Sequence, residues 1–274
     1  MSPGLLLANV DAANPEFRFL AAPHVVAMIL TVLLPLLLAW IIRRAKSEKV
    51  TRTILWSVGG VMMVNELFDQ YYHITELTAQ AYLQDYLPLH LCDISVILVI
   101  ILMFTRKFAV YEVVFFWGLA GASNSVITPD LTDGFPSVNF MVYFISHSGI
   151  IIGCLLATWG LKMRPTFESV VKAFVIANLY GIPLIGVNLL CDSNYMFLCK
   201  PPVGTTPFFF LPWPWYLLFL DLFAFLLFTL FYSPFWLRDQ FRRPRDKPVG
   251  AKLSGAGPQY QGPDLHDESD DSVD

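Results

Sequence analysis

Two histidines, His90 and His147, a cysteine, Cys92, and a string of carboxylates stand within otherwise apolar stretches of this chain. Ionisable side chains in such a setting are costly and usually face a bundle interior or a water-filled cavity, so their positions point to a site. Glu66, Asp69, Gln70 and His73 follow the i, i+3, i+4, i+7 rhythm that sets all four on one helical stripe. His90 and Asp93 share a face just after Pro88, a residue suited to a first helical turn, while Cys92 points largely away from His90. Asn139, Tyr143 and His147 recur every fourth residue, which places His147 about 13 Å below the outer end of its segment. Ser123, Asn124 and Ser125, then Asn188 and Asp221, complete a set drawn from six apolar segments. One polar pocket opening outward accounts for all of them.

Imidazoles that titrate near neutrality, set beside carboxylates, suit general acid–base catalysis, proton relay or metal binding, and the residues alone do not rank these. Metal binding is the weakest match, because neither HxxxH nor HxxE spacing occurs within one helix, and neither a metal nor a cofactor is expected. Cys92 is a candidate nucleophile and equally a small packed hydrophobe. Any single His, Asn, Ser or Tyr here can also serve as an interhelical hydrogen-bonding group; the gathering of many at one depth favours a site. Cys92, Cys154, Cys191 and Cys199 form neither a CxxC zinc pattern nor a dense disulfide framework, although Cys191 and Cys199 lie close enough to close an outer loop in an oxidising compartment.

The elements that position these residues are read from hydropathy. Of 274 residues 55% are hydrophobic and only 15% charged, with a mean hydropathy of +0.56. That is more apolar sequence than one soluble core buries. The net charge of −4 carries no clustered basic excess of the kind nucleic-acid binding requires. Continuous apolar runs near 20–42, 54–72, 87–105, 108–127, 138–161, 169–190 and 212–236 are long enough to cross a bilayer, which predicts an all-α, polytopic bundle of seven transmembrane helices. The chain thus divides into a short extracytoplasmic segment (1–19), a membrane domain (20–236) and a cytoplasmic, basic-then-acidic disordered tail (237–274). The first segment lacks the features of a cleaved signal, so the first span is expected to stay as a signal-anchor.

All but Arg18 and Lys200 of the 18 Lys and Arg residues fall on one side of this bundle. By the positive-inside rule that side is cytoplasmic, so the amino terminus lies outside and the carboxy terminus inside. The aromatic run 208–216 reads as an interfacial belt at the outer boundary. The basic stretch from Arg238 to Lys247 reads as a stop-transfer signal that could also meet anionic headgroups.

Leu87-Pro88-Leu89-His90-Leu91-Cys92, Phe135-Pro136, Phe144-Ile145-Ser146-His147, Asn194-Tyr195-Met196-Phe197-Leu198 and Lys200-Pro201 together resemble the YwaF family of integral membrane proteins, over about residues 20–236. That family is similar to a eukaryotic membrane acyltransferase that exchanges acyl chains on ether phospholipids, in which a Cys and a His act together. The resemblance maps the histidines onto His90 and His147. In that eukaryotic pattern the Cys lies just before the His, where this chain has Leu89, and its own Cys92 lies two residues after His90. An offset of three helical residues turns a side chain by about 60°, so the motif does not carry Cys92 over.

The residues and the resemblance together imply a lipid-directed enzyme of acyl-transfer or ester-cleaving type in the cell or plasma membrane, with membrane lipids as its partners. His147 would be the general base toward Cys92 or a water; His90, oriented by Asp93, would assist the leaving group or bind the headgroup. Glu66, Asp69, Asn124, Asn139, Tyr143 and Asn188 would shape the substrate pocket. A carrier or receptor for a small polar ligand would use the same pocket without covalent chemistry, and a structural partner subunit would use it not at all.

Overall fold

The computed structural model describes residues 15–201 and 209–242. The tail beyond Arg242, residues 1–14 and Phe208 of the aromatic run lie outside the described residues, and with them the expected disorder of the tail.

Local signals set the helix ends. α1 (Ala22–Ala45) opens with Pro23, whose missing N–H costs nothing in a first turn. It ends at Lys46, in the left-handed region, whose N–H returns to the Ile42 carbonyl. α2 (Glu48–Glu76) starts at Ser47, whose hydroxyl accepts the Val50 N–H. A single turn, α3 (Ala79–Ala81), runs into a π-helical turn over Tyr82–Tyr86. α4 (Leu91–Thr105) is capped by the Asp93 carboxylate, which accepts the His90 N–H at 2.9 Å. α5 (Phe108–Ile127) follows at once, then α6 (Val138–Leu155), capped by Ser137 and prolonged by a π turn over Leu156–Gly160. α7 (Phe167–Cys191) begins in a Thr166/Ser169 capping box. A 3₁₀ turn (Tyr195–Phe197) and α8 (Trp215–Arg242) complete the described chain.

α5 is the central helix. It packs on α4, α6, α7 and α8, and buries Tyr111, Val114, Phe116 and Ala122. Val99, Leu102 and Met103 of α4, Ile150 and Cys154 of α6 and Ala173 of α7 fill the core against it. Two glycines make the closest approaches: a Cβ on Gly118 would meet Ile150 Cγ2 at 2.5 Å, and one on Gly153 would collide with Val99. Small residues at such crossings let helix backbones meet where lipid offers no hydrophobic drive. Gly153→Leu is therefore expected to destabilise the fold by about 1–3 kcal/mol, the usual cost of overpacking. Gly60 has nothing within 4 Å of its added Cβ, and Gly60→Ala should leave thermal unfolding of the purified protein near wild type.

The expected helices are found at nearly the expected places, with two departures. Among the described residues five helices, α1, α5, α6 with its π turn, α7 and α8, are long and apolar enough to cross a membrane, and six are if Ala79–Tyr86 and Leu91–Thr105, bent by 79°, form one broken span. α2 has 29 residues, ample length, but its stripe of polar side chains lowers its apolarity. α4 has 15 residues, about 22 Å of helix, because residues 87–90 are not helical.

Candidate functional site

Three residues of the stripe read on α2, Glu66, Asp69 and His73, line a cavity, and Gln70 does not. A space of about 540 Å³ opens between α2, α4, α6 and the α5–α6 loop. Its walls carry Glu66, Asp69, His73 and Glu76 from α2, Cys92 and Asp93 from α4, and Asn139, Tyr143, Ser146 and His147 from α6. Asp130 and Thr132 of the loop and Tyr86 of the π turn close it. The loop is pinned from outside by residues preceding α1: Phe17 N–H donates to the Thr132 carbonyl at 2.7 Å, and Gly134 N–H to the Pro15 carbonyl at 2.6 Å.

His147 is held from one side. Its Nδ1 lies 2.9 Å from the Tyr143 carbonyl, and its ring stacks on the Tyr143 ring at 4.1 Å between centroids. A carbonyl only accepts, so Nδ1 carries the proton and Nε2 keeps a lone pair. The Tyr143 hydroxyl in turn donates to the Ser125 carbonyl at 3.1 Å, which ties α6 to α5. Asn65 of α2 donates to Ser146 Oγ at 2.8 Å and to the Val142 carbonyl at 3.3 Å, fixing α2 against the same face of α6.

His73 gains no role from the sequence, since nothing in the spacing separates it from Gln70. The structure distinguishes the two. His73 Nδ1 lies 2.9 Å from the Asp69 carbonyl and 3.4 Å from its carboxylate, and the ring stacks on Tyr86 at 4.1 Å. Gln70 instead donates to Glu66 and accepts from the Tyr82 hydroxyl. The cavity therefore holds two oriented imidazoles, each backed by a peptide carbonyl of its own helix, and His73 has the Asp69 carboxylate beside it as well.

Other candidate residues lie elsewhere. His90 does not line this cavity: its ring packs edge-on against Tyr195 at 5.2 Å, and Nδ1 accepts the Met196 N–H at 3.3 Å. The expectation that Asp93 orients the His90 ring is corrected, since Asp93 grips the His90 backbone N–H as a helix cap. Asn188 is buried and fully engaged in building the following turn: it donates to the Tyr195 carbonyl and accepts from Ser193 Oγ and Tyr195 N–H. Asn124 is exposed, and neither it nor Asp221 is among the cavity residues. The six-segment pocket thus contracts to three helices and two connections. All four cysteines, Cys191 and Cys199 included, are free thiols. Among the described residues no group of three or more His, Cys, Asp or Glu could hold a metal ion.

Electrostatically the cavity is one-sided. Glu66, Asp69, Glu76, Asp93 and Asp130 line it, and among the described residues neither Lys nor Arg does. Such walls repel anions and oppose a free thiolate, so Cys92 would have to lose its proton to a base as it attacks, not before.

A bundle of apolar helices around a polar cavity defines a helical integral membrane protein. The TMEM164 family profile matches residues 19–232, and the chain belongs to that family of membrane proteins. Neither the curated proteins nor the solved structures yield a match.

Proposed function

We propose that the protein is a lipid-directed membrane enzyme that transfers or cleaves an acyl group in the cavity between α2, α4 and α6. One observation carries this reading: a thiol, Cys92, and an imidazole with a free lone pair, His147, line the same cavity. The resemblance of the segments around His90 and His147 to YwaF proteins, and through them to an ether-phospholipid acyltransferase, supports the same chemistry. In the covalent route, Cys92 Sγ attacks the ester carbonyl of a lipid while His147 Nε2 takes the thiol proton. The tetrahedral species collapses to a Cys92 thioester, and the departing alkoxide takes the proton back from His147. A second lipid hydroxyl, or water, then attacks the thioester with His147 again as base, which releases the acyl product and restores the thiol. In the hydrolytic route His147 activates water directly. The test is lipid mass spectrometry of purified protein given a broad phospholipid mixture: acyl chains should exchange or be released, and an unchanged lipid pattern would remove the reading.

A carrier or receptor is the second reading, favoured by the five carboxylates on a cavity wall without Lys or Arg, which would suit a cationic ligand. Saturable binding of such a ligand without any change in lipid composition would select it.

The membrane arrangement that goes with either reading is seven spans in the cell or plasma membrane, with the amino terminus outside. Val64, Leu67 and Tyr71 of α2 are exposed, an apolar face for lipid opposite the polar stripe. Arg43, Arg44, Arg106 and Lys172 all fall at the end assigned to the cytoplasm. A cysteine placed at Asn9 should react with an impermeant maleimide in intact cells, and one at Ser254 should not. Labelling at Ser254 would reverse the orientation.

A further inference from the structure

A second cleft lies at the other end of α6, beyond Leu155, away from the Asn139 to His147 turns. It measures about 490 Å³ and is lined by Leu36, Ala39, Trp40, Arg43 and Arg44 of α1 and Trp159 of the π turn. Gly160, next to Trp159, lets the π turn approach α1: a Cβ there would lie 3.3 Å from Ile42 Cδ1 and 3.7 Å from Ala39 Cα. Trp159, 37% exposed, and Trp40, 62% exposed, both line the cleft. π turns of this kind recur at functional sites because they shift side chains out of the helical register.

The two guanidinium groups are what the fold leaves unanswered. Arg106 pairs with Glu48 at 2.7 Å and Arg164 with Asp239 at 2.9 Å. Among the described residues neither Arg43 nor Arg44 makes an ion pair or side-chain hydrogen bond, and the cleft is lined without any Asp or Glu. Lys46, Lys49 and Arg52 follow within the next eight residues, and the one carboxylate among them, Glu48, is paired with Arg106, so the local field is positive.

We infer that this cleft binds the phosphate of an anionic phospholipid, with Arg43 and Arg44 on the phosphate oxygens and Trp40 and Trp159 flanking the headgroup. The chemistry fits each part. A guanidinium fork matches two phosphate oxygens, and a phosphate in a low-dielectric rim is held more firmly than in water. Indole rings settle at the headgroup level, apolar body toward the acyl chains and N–H toward the polar rim. Leu36 and Ala39, nearer the helix middle, continue the cleft as a wall for the first acyl methylenes. A zwitterionic lipid carries its own cation beside the phosphate and gains less from two unpaired arginines. Basic clefts between membrane helices hold anionic headgroups on the same principle. The site is independent of the acyl-transfer reading, since it shares no residue with the other cavity.

The test uses the full-length protein in discs of equal parts phosphatidylglycerol and phosphatidylcholine. Lipid retained after extraction is read by native mass spectrometry, and affinity for short-chain phosphatidylglycerol by titration. Phosphatidylglycerol should be enriched, and the double variant Arg43→Gln/Arg44→Gln should bind it about thirty-fold more weakly, the effect of two interfacial arginines. Arg43→Lys/Arg44→Lys, which keeps the charge and guards against misfolding, should retain part of the affinity. Lys107→Gln, a basic residue at the same end but outside the cleft, should stay within about twofold of wild type. Undiminished enrichment in the double Gln variant would overturn the site. So would an equal loss in Lys107→Gln, which would mean diffuse charge alone, or displacement of the lipid by inorganic phosphate at matching concentration, which would mean a free-anion site.

Discussion

His147→Ala is expected to lower acyl turnover on phospholipid by about 10²- to 10⁴-fold, the range over which positioned general bases act. The fold should survive the change. His147 makes one hydrogen bond, to the carbonyl of its own helix, and one ring stack, both with Tyr143. Losing an ordinary hydrogen bond costs about 0.5–1.5 kcal/mol, and Tyr143 keeps its own anchor on the Ser125 carbonyl. Lipid mass spectrometry of membranes holding equal amounts of wild-type and variant protein reads the outcome directly. Because both chemical routes draw on the Nε2 lone pair, the loss should appear whether the acyl group passes through a thioester or to water. Full turnover in His147→Ala would transfer the role to the other imidazole in the cavity. His73, braced by the Asp69 carboxylate, would then be the base, and His73→Ala should abolish what His147→Ala left intact.

The legible and illegible parts of this architecture separate by the range of the interactions that create them. α5 occupies the expected 108–127 because its limits follow from an apolar run bounded by polar turns, both local signals. The α2 stripe was equally legible, since the helical period alone brings Glu66, Asp69 and His73 to one face. The start of α4 was not. The expected helix from residue 87 gives way to a non-helical bend held by distant partners: Leu87 N–H donates to the Tyr195 hydroxyl and the Leu89 carbonyl accepts from Tyr180, 108 and 91 residues away. The same distant turn claims the His90 ring through the Met196 N–H, so a histidine of catalytic appearance in the sequence sits against a loop. Asp130, Thr132 and Tyr86 were missed for the reason that loop and turn residues show no periodicity to reveal their direction. Asn188 misled differently: a polar residue in the last turn of an apolar segment reads as a ligand, yet its amide is consumed by Ser193 and Tyr195, a few positions onward.

Cys92→Ser is the substitution that separates the covalent route from the hydrolytic one. The change replaces sulfur by oxygen at nearly constant shape, so expression and thermal stability should stay close to wild type. In the covalent route turnover should fall by at least about 10³-fold, because a serine hydroxyl is a far poorer nucleophile at neutral pH than a thiol and requires a more strongly activating base. Wild-type protein stopped during turnover should also carry an acyl adduct on Cys92, visible as added mass on the intact protein and removed by hydroxylamine. The carboxylates around the cavity sharpen this expectation. They discourage a standing thiolate, so thioester formation depends on proton transfer to His147 within the attack itself, and the adduct should be absent from His147→Ala. In the hydrolytic route Cys92 is only a packed side chain beside Gly121, whose added Cβ would lie 3.4 Å from its sulfur. Cys92→Ser would then keep most of its activity while His147→Ala still loses it, and no adduct would form. Should Cys92→Ser and His147→Ala both exchange acyl chains as wild type does, the Cys92–His147 mechanism fails in either form. If wild-type protein itself leaves every phospholipid unchanged, the acidic walls of the cavity favour a carrier or receptor for a cationic ligand.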